Sequence, residues 1–377
     1  MKKELKRICD IKENFNLKNY NTYKLNSSCD YFASPKNVDE LKELISYVKK
    51  NNIKYLILGN GSNIILPIHF DGLVIYLKKL NNYEINEDYV YAEAGVMLNA
   101  LATKVTNEGY SGLDFATGIP GTVGGSVYMN AGCFGSDINN ILISAEIYDG
   151  ESIIELTHDE FEFGYRTSML KSHKDYILLS CKFKIEKGDL KELKSLVKQR
   201  TEKRVSSQDL THPSAGSVFR NPEGMSAGKL IDDLGLKGFS VNDAMVSFKH
   251  ANFIINNGNA NQDDIVKLID EIKDKVKKEY NVELKLEQEI IKWVNNNSLF
   301  IAIKKSVKLT YLFFLIALIS LVDNLTFLPS TTVGCKLTFC VFLVAFSEKG
   351  LFWALILLLF ETFFAILLLC LLFLSQI

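Results

Sequence analysis

The stretch GIPGTVGGSVYMNAG, residues 118–132, constrains this chain more than any other segment. Glycines stand at 118, 121, 124, 125 and 132, with Pro120 among them and mostly small or β-branched neighbours. Such a run is short of side-chain volume for a core and of propensity for a helix. It suits a backbone wrapped tightly around a ligand, with bare N–H groups turned inward. A glycine-rich loop that holds nothing is the alternative, and the density of glycines speaks for the ligand.

A second glycine motif lies upstream. LGNGSN, residues 58–63, follows the apolar run 55–58, which reads as a buried strand. Gly59 and Gly61 let the chain turn sharply and bring N–H groups near an anion such as a pyrophosphate. It is not a Rossmann fingerprint: Ile64 follows Asn63, no third glycine is present, and a strand rather than a helix comes next. Alone, it fits an ordinary turn equally well.

Three polar residues elsewhere are of the right type for chemistry. Arg166, in YRTS after FEFG, offers a permanently charged planar fork suited to a carboxylate, although a lone loop arginine is usually solvated. Ser217 lies in PSAGSVFRNP, a segment bracketed by Pro213 and Pro222. A serine hydroxyl can both donate and accept a proton, but most serines in such loops are turn residues. No GxSxG elbow surrounds it, which disfavours an acyl-enzyme nucleophile. Glu287 sits in VELKLEQEII, whose alternation predicts a strand with Glu283, Lys285, Glu287 and Glu289 on one face. Periodicity alone makes that face a solvated one.

The rest of the chain sets the frame. Residues 37–50 place Leu41, Leu44, Ile45 and Val48 on one helical face, and further helices are predicted at 189–204, 227–234 and 263–280. Mixed with short strands, they give an α+β fold. The net charge is −1, which offers nothing to a nucleic acid. Scattered cysteines without a CxxC pair, and an N-terminus without an apolar run, point to reduced cytosol for the globular part. Five histidines form no ligand spacing, so no metal is expected.

From residue 298 the composition changes. The tail to 377 carries five lysines and three acidic residues amid Leu, Phe, Ile and Val. Runs at 309–328 and 351–374 are long enough to cross a hydrocarbon core of roughly 30 Å, and a run near 333–346 is marginal. Two or three transmembrane helices are therefore expected, with a gene-model accident as the alternative. Lys304, Lys305 and Lys308 before the first run favour a catalytic part tethered at the cytoplasmic face.

Taken in order, NTYKL, LGNGSN with FDGLVI, GIPGTVGGSVYMNAG, FGYRTS, PSAGSVFRNP, AGKLIDDLGLKG, VSFKHANFIINNGNA and LEQEII resemble the UDP-N-acetylenolpyruvoylglucosamine reductase family in its shorter form, over residues 15–294. The resemblance implies an FAD-binding domain of the PCMH or vanillyl-alcohol-oxidase type at 1–187 and a smaller α+β substrate domain at 188–297. It implies non-covalent FAD, NADPH as reductant, a small-molecule substrate (the enolpyruvyl ether of a UDP-sugar), a monomeric soluble part, and Arg166, Ser217 and Glu287 as catalytic residues. Gly59, Asn60, Gly61, Ser62 and Asn63, with Gly118, Ile119, Pro120, Gly121, Gly124 and Gly125, become the cofactor cradle. The chain departs from the family at Asn26-Ser27-Ser28, His69 and Asn242-Asp243, which bears on local loop shape. The rival reading is another flavin oxidase or dehydrogenase of the same superfamily, some of which attach flavin through a His or Cys. Cys133 lies beside the second glycine motif.

Overall fold

The computed structural model describes residues 2–292. The expected membrane spans, and the whole of 298–377, lie outside the described residues. Among the described residues no helix is long and apolar enough to cross a membrane.

Two sheets and the helices packed on them build the first core. One sheet runs in the order Ile11–Asn16, Ser28–Ala33, His69–Tyr76, Tyr55–Leu58, antiparallel at its first pair and parallel at the other two. The other is antiparallel throughout, in the order Ile153–Thr157, Leu142–Tyr148, Ile177–Lys184, Tyr89–Glu93, Tyr83–Ile85. Strand His69–Tyr76 is buried on both faces, as a central parallel strand must be. Leu73 and Ile75 join the large cluster shared with Ala92, Ala145 and Phe183, while Phe70 and Val74 join a smaller one with Leu17, Cys29 and Phe32. Helix Val38–Lys50 is capped by Asn37, which accepts from Glu40 N, and it buries Leu41, Leu44, Ile45 and Val48 as its sequence predicts. Cutting any of these back to Ala should cost about 2–5 kcal/mol.

A third sheet, Ser214–Ser217, Phe253–Asn256, Ala244–Val246, Ser240–Val241, is antiparallel. Helix Gln262–Tyr280 covers it through Ile265, Leu268, Ile269, Ile272 and Val276. Tyr23, Leu25 and Ile65 from the N-terminal part enter the same cluster. After this helix the chain returns, and Glu289–Ile290 pairs in parallel with Ile64–Ile65, next to LGNGSN.

Two sequence expectations are corrected here. The glycine stretch does contain a helix, Val123–Tyr128, with Val123 and Val127 fully buried. Thr122 caps it, and Gly124 lies so near Ala94 that a Cβ would stand 3.1 Å from the alanine's own. The glycines therefore serve close helix–strand packing, which outweighs their poor propensity. The strand predicted over VELKLEQEII shrinks to Glu289–Ile290 plus one antiparallel bridge, Phe219 to Leu286. The chain bends at Glu287 and Gln288, so these side chains leave the solvent face.

The unusual positions in the sequence support one another. Ser28 and His69 face each other across the first sheet, with Ser28 Oγ 2.8 Å from His69 Nδ1 and Asp30 2.9 Å from Nε2. Asn242 takes φ +49° in the hairpin turn, a conformation Asn tolerates, and its amide donates to Asp264 at 2.6 Å.

Candidate active site

The two glycine loops meet. Asn60 Nδ2 donates to the carbonyl of Pro120 at 2.6 Å, and a Cβ on Gly59 would lie 2.5 Å from Thr122 Oγ1. Gly61 is left-handed at φ +63°, with the Tyr20 carbonyl and Asn21 Cα pressed against it, so no side chain fits. Together the loops border a cavity of about 1050 Å³. That volume is at the upper end of small-molecule pockets, which run to about 1,000 Å³, and is large enough for an extended dinucleotide with a substrate fragment beside it.

Ten of the eleven expected cradle residues line this cavity: the whole of 59–63, then Ile119, Pro120, Gly121, Gly124 and Gly125. Gly118 stands behind the wall, against Arg204. Not every glycine offers an N–H to a guest. Gly124 N donates to Ala94 O at 2.9 Å, and Gly125 N to Thr122 Oγ1 at 3.4 Å. Ser126 behaves in the opposite way: only 2% of it is exposed, yet its Oγ has no hydrogen-bond partner and it lines the cavity beside Gly121. A buried hydroxyl left unsatisfied in a glycine-walled groove fits an oxygen-rich guest such as a pyrophosphate. The residues present thus fit a dinucleotide such as FAD.

The three candidate catalytic residues converge on the same cavity. Arg166 occupies a tight turn closed by Gly164 and Thr167, at φ +59°, a conformation that costs about 1–3 kcal/mol in a non-glycine residue. Its guanidinium repays this: Nε donates to Glu287 Oε1 at 3.0 Å, Nη2 to Gly132 O at 2.7 Å and Nη1 to Asn130 O at 3.4 Å. Two of its five N–H groups remain for a ligand. The side chains of Arg166 and Glu287 are only 20% and 17% exposed. Burial pushes the Glu287 carboxyl above its ordinary range, and Arg166, Arg220 and Lys171 offset only part of that.

Ser217 ends a strand distorted by Gly216, at φ +75°, where the register slips. Its placement depends on neighbours that motif reading passes over. Gln288 Nε2 donates to the carbonyls of Ala215 and Gly216, both at 3.1 Å, and its Oε1 accepts from the buried Tyr23 hydroxyl at 2.9 Å. Glu287 N donates to Val218 O at 2.9 Å, and Asn63 Nδ2 to Glu287 O at 3.1 Å. One short segment, 287–288, therefore ties Ser217 to the first glycine loop. Glu289 also lines the cavity, held by Lys171 at 2.9 Å and by the Tyr128 hydroxyl at 3.2 Å. Tyr23 and Gln288 lie inside NTYKL and LEQEII, but nothing local marks their role, or that of Lys171, because each acts through a partner more than seventy residues away.

Cys133 lines the cavity, but its Sγ donates to Phe115 O at 2.9 Å and burial pushes the thiol up, against the opposing charges of Arg204, Arg200 and Arg166. Outside this site, Asp30, His69 and Asp71 bring possible metal-ligating atoms within 4.8 Å of one another on the surface, a grouping that residue spacing conceals.

Two family models match the chain: an FAD binding domain over residues 29–156, and the C-terminal domain of UDP-N-acetylenolpyruvoylglucosamine reductase over 208–291. A UDP-N-acetylenolpyruvoylglucosamine reductase of Clostridium novyi is 40% identical over 294 residues, covering 77% of this chain and 95% of that protein. One of Petrotoga mobilis is 42% identical over 293 residues, covering 75% and 95%. The crystal structure of the corresponding reductase from Thermus caldophilus superposes with a TM-score of 0.64 at 31% identity, covering 75% of this chain and 98% of that one.

Proposed function

The chain belongs to the UDP-N-acetylenolpyruvoylglucosamine reductase family, and we propose that it performs the family's reaction with Arg166, Ser217 and Glu287 as its catalytic residues. It is an FAD-dependent oxidoreductase that uses NADPH to reduce the enolpyruvyl ether of a UDP-sugar, a step of peptidoglycan precursor synthesis. The convergence of these three side chains on one cavity, beside the glycine loops, carries the assignment of residues.

Bound FAD supplies hydride transfer, which no side chain can. Residues 59–63 and 119–121, with the unpartnered Ser126 hydroxyl, would hold it. The protein's task is the charge that follows. Once the methylene carbon of the enolpyruvyl group has gained a hydride, negative charge develops on the neighbouring carbon and spreads into its carboxylate. Arg166 presents its two remaining N–H groups to that charge where it appears. Ser217 delivers a proton to the carbon, and Glu287, whose carboxyl holds its proton more tightly than usual, resupplies it or fixes its direction.

The thiol of Cys133, bonded to a carbonyl and pushed up by burial, supports non-covalent flavin. The two family matches fall on either side of residue 187, in keeping with an FAD-binding domain at 1–187 and a substrate domain at 188–297. The apolar composition of 298–377 supports a membrane tether, and truncation after Asn297 should then release active protein from the membrane fraction.

The test is spectroscopic. Purified protein should be yellow, bleach with NADPH, regain its colour with the enolpyruvyl substrate, and yield free FAD to acid. Colour that returns with small ketones, or bleaches with small alcohols in place of NADPH, without a response to this substrate, would identify a different flavin oxidoreductase.

A further inference from the structure

Helix Leu190–Ser207 ends beside the cavity with two arginines one turn apart, and they are treated differently. Arg200 is ion-paired with Asp114. Arg204 is not: its guanidinium has no ion pair or hydrogen bond among the described residues, although it is largely withdrawn from water and lines the cavity. It lies flat on Gly118, where a Cβ would meet both its Cδ and its Nη1 at 2.9 Å. A sheltered cation without a counter-charge is costly unless something else completes it. One turn further on, Gln208 lines the same cavity, and its Oε1 is buried without a partner. A stranded acceptor and a stranded donor and charge, four residues apart in the chain, thus line one cavity.

An occupant that satisfies both must present an acceptor to Arg204 and, next to it, an N–H to Gln208. A cyclic imide does so, with its C=O–N(H)–C=O edge. Two groups in this reaction carry that edge: the pyrimidine ring of the flavin and the uracil of the UDP-sugar. We propose that Arg204 and Gln208 seat the flavin's pyrimidine edge, because Arg204 is built against Gly118 at the mouth of the glycine stretch. Gly118 then has a role although it does not touch the cavity: it leaves room for the guanidinium. Arg204 becomes a positioning and tuning residue, whose fixed charge favours the reduced, more anionic ring. The inference rests on the FAD reading given above and deepens it.

The experiment uses the full chain loaded with FAD and three variants, Arg204→Gln, Arg204→Lys and Gln208→Leu. Three quantities are read: the dissociation constant for FAD, the ratio of reduced to oxidised bound flavin against a reference dye at one fixed poise, and the dissociation constant for UDP. Arg204→Gln should weaken FAD binding and lower the reduced fraction, each about tenfold, whereas Arg204→Lys should keep the ratio within about threefold because the charge remains. Gln208→Leu should weaken FAD about fivefold and leave the ratio nearly unchanged. UDP affinity should stay parental in all three. FAD constants and ratios at parental values in every variant would overturn the proposal, and so would a loss confined to UDP, which assigns the imide seat to uracil. If Arg204→Gln loads no FAD, the unfolding temperature of its apo form decides. A parental value supports the seat, while a lowered one leaves Arg204→Lys and Gln208→Leu to decide by the same criteria. A parent chain that takes up no FAD would refute the functional reading itself, an outcome separate from any of these.

Discussion

The two halves of the site are built on different principles. The cradle of residues 59–63 and 118–132 is made by backbone, where glycines admit close approach and side chains do little. The proposed catalytic junction is made by side chains on three separate segments, and its Arg166 and Glu287, 121 positions apart, are joined by a hydrogen bond. In the mechanism proposed above, the first holds the cofactor and the second governs the charge that appears after electrons have moved. The difference predicts that damage to the one removes colour and activity together, while damage to the other removes activity alone.

The largest effect should come from the cradle. Gly61→Val puts a β-branched residue at φ +63° and drives its Cβ into the Tyr20 carbonyl, a backbone strain of about 1–3 kcal/mol before the clash is counted. The purified variant should carry less than about a tenth of the parental flavin. Absorbance at the flavin band relative to protein measures this. A yellow, active Gly61→Val would show that the cradle does not depend on its backbone.

Next comes the junction. Glu287→Gln keeps a hydrogen-bonding group toward Arg166 but can neither hold nor pass a proton. Flavin content and reduction by NADPH should stay near parental, while oxidation by the enolpyruvyl substrate slows by about 10²–10⁴-fold. Equal slowing of both steps would mean that Glu287 acts on the flavin's surroundings rather than on the substrate.

The smallest effect concerns the loop between helix Leu190–Ser207 and Ser217. Asp209, 11% exposed, accepts from His212, Thr211 and Ser247. Burial would raise its carboxyl, but bonds from His212, Thr211 and Ser247 win and hold it at about 2, below the ordinary 3.8. A carboxyl held below its unfolded value contributes stability above that value and loses it as the pH falls through the folded one. Asp209→Asn should therefore cost about 1–3 kcal/mol at pH 7, and denaturant unfolding should show the same gap at about pH 4 and a narrower one at about pH 3. A gap that widens on acidification would contradict this account of the loop.

Much of the architecture was legible because it is local. Helical spacing marked Leu41, Leu44, Ile45 and Val48, and glycine density marked the cradle. The helix inside the glycine stretch was hidden because its stability comes from Ala94 and Val96, whose carbonyls take the first N–H groups of the helix. Glu287 looked like part of a solvated strand face, since alternation cannot reveal a bend that turns one residue inward. Arg166 and Ser217 could be named by resemblance, but Tyr23 and Gln288, which position Ser217, could not. Nothing in a single sequence says that residues 265 positions apart are joined by a hydrogen bond.

In the proposed mechanism Ser217 serves the substrate's charge and not the flavin's electrons. Rapid mixing of Ser217→Ala, followed at the flavin band, separates the two. Reduction by NADPH should proceed at nearly the parental rate, and reoxidation by the enolpyruvyl substrate should fall by about 10²–10⁴-fold. Reoxidation within about tenfold of the parent would contradict the assignment of Ser217 as proton donor.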